Sequence, residues 1–105
     1  YNRSTDGGVS FGEPVRVDDG GVSMQDATLC LARDGTIYVA WCDKRDGDGP
    51  DYNIYLSRSV DGGNSFSQDV RVDDAGDDAS RQWEPAVATD DSGRVYVVWN
   101  ILFLR

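Results

Sequence analysis

The chain has 105 residues, a formal charge of −9 at neutral pH and no histidine. That length fits one small domain. The acidity excludes the basic stripe that phosphate binding needs and disfavours anionic membrane surfaces, and no stretch is long or apolar enough to cross a bilayer.

The charge is unevenly built. Seventeen of the nineteen acids are Asp, and Lys44 is the only Lys beside nine Arg. Asp prefers turns and strand ends to helices, which fits a turn-rich β protein; a halophilic source gives the same bias. The sequence opens on Tyr1 rather than Met, which reads as a mature piece or an excerpt.

In chain order, "RSTDGGVSF" (residues 3 to 11) comes first and returns as "RSVDGGNSF" (58 to 66) with two differences. "VRVDD" (15 to 19) returns at 70 to 74, at the same spacing of 55. "ATLCLARDGTIYVAWC" (27 to 42) then matches "PAVATDDSGRVYVVWN" (85 to 100) at a spacing of 58, so three extra residues fall between Asp73 and Glu84. An internal period of roughly 50 residues belongs to arrays, solenoids or propeller blades.

One unit predicts four short strands: about 27–32, 36–42, 52–59 and 66–72. No window has helical periodicity with caps. The second strand is apolar on both faces, with Ile37, Val39 and Trp41 on one and Tyr38 and Ala40 on the other. The fourth alternates Val70 and Val72 with Asp69 and Arg71. The second should therefore be covered on both sides and the fourth should lie at an outer edge. Four-stranded sheets packed face to face describe propeller blades, with a two-sheet sandwich as the rival.

The repeated turn has its own chemistry. Glycine supplies positive φ in the hairpin. Asp61 accepts N–H groups of its own turn, Ser59 and Ser65 tie down nearby backbone, and Phe66 folds back on the core. The turn "RDGT" around Asp34 and Gly35 should pair Cys30 with about Val39, and Cys42 with about Ala27. That leaves the thiols about 10 Å apart along the strands, too far for a disulfide. Buried free thiols are expected.

Ser4, Asp6, Gly8, Ser10 and Phe11, and again Ser59, Asp61, Gly63, Ser65 and Phe66, resemble the Asp-box, or bacterial neuraminidase repeat, whose form is Ser-x-Asp-x-Gly-x-Ser/Thr-Trp/Phe. Trp41–Asp43–Arg45 and Asn53–Tyr55 before the second box are also similar to repeats of sialidase-like β-propellers. The resemblance implies an all-β fold: a propeller fragment of about two four-stranded antiparallel blades with Asp-box hairpin turns. Residues 1–25 would end one blade, 26–83 form a complete blade, and 84–105 start the next. It implies a secreted or cell-surface parent acting on or binding glycans, of exo-sialidase type, or alternatively a non-catalytic interaction or structural scaffold, calcium-stabilised.

The resemblance also implies that the boxes are structural and that ligands meet the opposite loop face, residues 18–26, 43–51 and 73–84. Asp43, Arg45, Arg81 and Trp83 are the candidates there, since Arg forks a carboxylate and Trp stacks on a sugar ring. Asp46, Asp48 and Asp51 are spaced as oxygen donors for calcium, with Asn53 as a further donor. The arginine triad and Tyr–Glu nucleophile pair of a retaining sialidase have no match, and Glu13 and Glu84 are the only glutamates. Catalysis by this chain alone is not expected. The tail "NILFLR" (100 to 105) resembles "NIYLSR" (53 to 58), while Asn100 also aligns with Cys42. Two blades leave sheet faces uncovered, so partners are further blades, a carbohydrate or protein ligand, or a second copy.

Overall fold

The computed structural model describes residues 1–47, 52–74 and 80–103. It is all-β: β1 Gln25–Leu31, β2 Ile37–Asp43, β3 Asn53–Ser59, β4 Val70–Arg71, β5 Ser80–Thr89 and β6 Val95–Phe103. The first four form an antiparallel sheet in the order β1-β2-β3-β4, and β5 pairs with β6 in a second sheet. The expected fourth strand shrinks to two residues, because Asp69 and Asp73 turn their carboxylates onto backbone amides on either side of it.

β2 is the organising strand. Ile37, Val39, Ala40, Trp41, Cys42 and Asp43 are all buried. Ile37, Val39 and Trp41 face a core with Tyr55, against which Tyr1, Val17 and Phe66 pack. The alternate residues face the second sheet, where β5 lies across β1, β2 and β3. Apolar character on both faces thus became burial on both faces.

Residues 1–15 repeat the β3–β4 hairpin. The Gly12 amide donates to the Arg3 carbonyl at 3.1 Å, as the Ser67 amide donates to Arg58 at 2.8 Å. Both Ser-x-Asp-Gly-Gly-x-Ser turns close identically. The hydroxyl of Ser4 (Ser59) donates to Asp6 (Asp61) and accepts the amide of Gly8 (Gly63) at 2.8 Å (2.9 Å). The carboxylate then takes the amide and hydroxyl of Ser10 (Ser65). The second glycine sits at φ +91 in both turns, a conformation that strains any side chain. Phe66 packs on the core as expected, but Phe11 is exposed.

One further expectation shifts. Cys30 opposes Tyr38, in the register set by the turn, and Cys42 opposes Gln25, because a bulge inserts an extra residue between Gln25 and Thr28. Both cysteines are free, and burial with the nearby Asp26 carboxylate pushes the Cys42 thiol up to about 11. Positions 25/26 and 83/84 lie within β1 and β5, each of which runs through such a bulge. Finally, "NILF" continues β6 without a turn, so Asn100 follows the Cys42 alignment and not that of Asn53.

The turn carboxylates set an acid limit. Hydrogen bonds from the Ser65 hydroxyl and amide hold Asp61 at about 2, and Ser10 does the same for Asp6. An acid whose folded value is depressed stabilises above its free value of 3.8 and loses that contribution as pH falls toward 2. Asp61→Ala should therefore melt below the wild type at pH 6, with the gap narrowing at pH 2. Thermal melts at both pH values check this; a pH-independent gap contradicts it.

Candidate functional site

The residues that follow β2, precede β1 and begin β5 meet at one end of the sheets, where Arg45 bonds Asp19 and Tyr52 bridges Arg81. Two arginines there do different work. Arg45 is an internal tie. Its Nε and Nη2 donate to Asp43 at 3.1 and 2.9 Å, Nη2 also donates to Asp69 at 2.7 Å, and Nη1 donates to Asp19 at 3.1 Å. Its guanidinium lies 4.0 Å from the Tyr55 ring centroid. The Asp43 and Asp69 side chains are essentially inaccessible, and Asp43 also accepts the Trp41 indole at 3.0 Å. Asp19 and Asp69 exchange amide-to-carboxylate hydrogen bonds, each 2.9 Å, across fifty residues. Burial pushes the Asp69 carboxyl up, while the Asp69 amide and Arg45 hold Asp19 down. Of the candidates, Asp43 and Arg45 are thus brought together, with their polar groups already engaged by the protein.

Asp46 accepts from the Tyr55 hydroxyl and from Asn53 Nδ2 at 3.2 Å, and Arg71 Nη1 lies at 3.9 Å. Burial first, then the Asp46 hydrogen bond, pushes the Tyr55 phenol far up. Asp48 and Asp51, the other expected calcium donors, lie outside the described residues. Among the described residues no cluster of three acidic or thiol groups is placed to hold a metal ion.

Arg81 is the opposite case. Its guanidinium lies 5.4 Å from the Tyr52 ring centroid and 5.2 Å from that of Trp83. It is half-buried, and among the described residues it makes no ion pair. Its Nε and the Trp83 indole Nε1 are buried donors without an acceptor. The other half-buried arginines, Arg45 and Arg71, are both paired to aspartates. Tyr52 is held by a parallel bridge to Arg81, with the Gln82 amide donating to the Tyr52 carbonyl at 2.9 Å, and its hydroxyl accepts Gln25 Nε2 at 3.1 Å.

A bulge aims this group. Between Trp83 and Ala86, β5 carries one residue more than β6 opposes, with Glu84 in the left-handed region at φ 51. Trp83 therefore shares the face of Asn100, opposite in parity to Val87 and Thr89, which face the first sheet. β1 carries the same device, with Asp26 at φ 58; Asp26 Oδ2 accepts the Glu84 amide at 3.3 Å and so links the two bulges. The sequence pointed to Arg81 and Trp83 but missed Tyr52 and Gln25, and it missed Asp19 and Asp69 as partners of Arg45. The parallel bridge and the fifty-residue exchange have no local signal. Compared with protein-family models, curated proteins and solved structures, the chain matches none.

Removing Arg45 strands two buried carboxylates, and breaking a buried pair from one side costs about 3–5 kcal/mol. Arg45→Ala should lose cooperative unfolding, or show a lower urea midpoint that corresponds to an unfolding free energy reduced by that amount. Arg45→Lys, which keeps the charge but not the fork, should fall between. A wild-type midpoint for both variants contradicts the tie.

Proposed function

We propose that the chain forms about two blades of a sialidase-like Asp-box β-propeller, of extracellular setting, whose loop end binds a glycan through its carboxylate. The internal repeat, the face-to-face sheets and the two identical serine–aspartate turns support the propeller reading. One observation carries the ligand: Arg81, whose guanidinium lies near the Tyr52 and Trp83 rings, has a buried Nε that meets no acceptor among the described residues. A desolvated guanidinium beside a second unpaired N–H recognises a planar anion by paired charge-assisted hydrogen bonds. The flanking rings offer apolar area to a sugar face.

Binding, not turnover, fits these residues. A phenol acting as nucleophile needs its proton removed readily. Tyr55 and Tyr96, the two tyrosines hydrogen-bonded to carboxylates among the described residues, are pushed the other way. Tyr55 is also covered by Arg45.

The test is titration with a sialoside and with its carboxylate methyl ester, followed through the Trp83 indole resonance. A charge-assisted hydrogen bond is worth roughly 1.5–3 kcal/mol, so the ester should bind about ten- to a hundredfold more weakly. Arg81→Ala should show the same loss with an unchanged melt. Equal affinities for acid and ester, or an indole resonance that does not move, overturn the reading.

A further inference from the structure

The two sheets meet through faces that the repeat duplicates. In the first unit the face meeting β5 carries Thr28, Cys30, Tyr38, Ala40 and Cys42; Cys30 Sγ lies 3.7 Å from Thr89 Oγ1 across that contact. Their repeat equivalents are Ala86, Ala88, Tyr96, Val98 and Asn100, and all five are exposed. In the second unit the face meeting the first sheet carries Val87, Thr89, Val95, Val97 and Trp99. Their equivalents are Leu29, Leu31, Ile37, Val39 and Trp41, where Leu29 and Leu31 are exposed and Leu29 lines a cleft of about 510 Å3. The chain therefore displays both halves of an interface that it already makes once internally.

The strand edges agree. Among the described residues β6 is paired on one side only, by β5. In the first unit the equivalent strand, β2, pairs with β3, joining Ile37 to Ser59 and Ala40 to Leu56. The equivalent of Leu56–Ser59 is Tyr1–Ser4, whose other edge is bonded to residues 12 and 15. Among the described residues the backbone groups of Asn2 and Ser4 make no backbone hydrogen bond. They are the equivalents of Ser57 and Ser59, which pair with Val39 and Ile37.

We propose that this chain associates head to tail with a second copy: β6 of one adds to Tyr1–Ser4 of the next at Val95–Ser4 to Val98–Tyr1, and Tyr96 and Val98 cover Leu29 and Leu31. Each junction then rebuilds a four-stranded sheet, β5-β6 from one copy and residues 1–17 from the other. The contact is heterologous, since the two surfaces differ, so it propagates or closes into a ring. Strand addition supplies backbone hydrogen bonds and the apolar faces supply burial. The inference rests on the repeat and stands apart from the ligand at Arg81.

The test uses two variants that each spoil one surface. Leu31 and Val98 are both 67% exposed, so Leu31→Asp and Val98→Asp should leave the melt of the dilute chain unchanged. By sedimentation equilibrium the wild type should exceed the mass of one 11.5 kDa chain, and each variant alone should remain at one chain. Mixed in equal amounts, the variants should form a dimer, Val98→Asp contributing its intact Leu31 surface and Leu31→Asp its intact Val98 surface. A wild type at one chain's mass at every concentration overturns the proposal. A mixture that stays monomeric while the wild type associates overturns the head-to-tail geometry, as does a single variant that still associates.

Discussion

Arg45 places one positive charge among three carboxylates, two of them out of reach of water, and most of the long-range order of the chain passes through it. Asp43 belongs to β2, Asp69 precedes β4, and Asp19 lies in the arm before β1. A carboxylate moved from water into a protein interior costs several kcal/mol unless a counter-charge and hydrogen bonds compensate it. The guanidinium compensates all three, since its planar fork has enough donors to face three directions. The reciprocal Asp19–Asp69 amides then lock an exposed arm to a strand fifty residues later. The small core, built on Ile37, Val39, Trp41 and Tyr55, is thereby bounded by charge where it runs out of apolar side chains.

The same residue type serves two ends in one chain. Arg45 and Arg71 each pair with an aspartate two residues away, a spacing that a reader of the sequence can see, and Arg45 adds Asp19 and Asp69 from farther along the chain. Arg81 has aromatic neighbours instead, one two residues away and one from another sheet. In a chain this acidic, a half-buried arginine with no carboxylate partner among the described residues is unusual. That contrast, more than the presence of arginine near a loop, sets Arg81 apart from Arg45 and Arg71.

What could be read from the sequence was whatever repeats or alternates. The strand positions came within a few residues, the turns came with their hydrogen-bond roles, and the burial of β2 on both faces followed from Tyr38 and Ala40 beside Val39 and Trp41. The cysteine pairings were misread: the turn sets the register of Cys30, and a bulge moves the partner of Cys42. A single inserted residue leaves no mark in the apolar pattern when its neighbours are Gln25, Asp26 and Ala27, or Glu84 and Pro85. Likewise the partners of Arg45 and Arg81 arrive from elements far along the chain, where tertiary packing decides and local spacing is silent.

The bulge at Glu84 also divides β5 into two segments with independent duties. From Ala86 onward, side chains answer to the packing between sheets; before Trp83, they answer to the mouth of the loops. A straight strand would couple the two, because any shift that improved the mouth would rotate the packed half out of place. The extra residue works as a phase break, so drift in Arg81 or Trp83 leaves the buried half untouched. With the same break in β1, each repeat separates its packed half from its loop end.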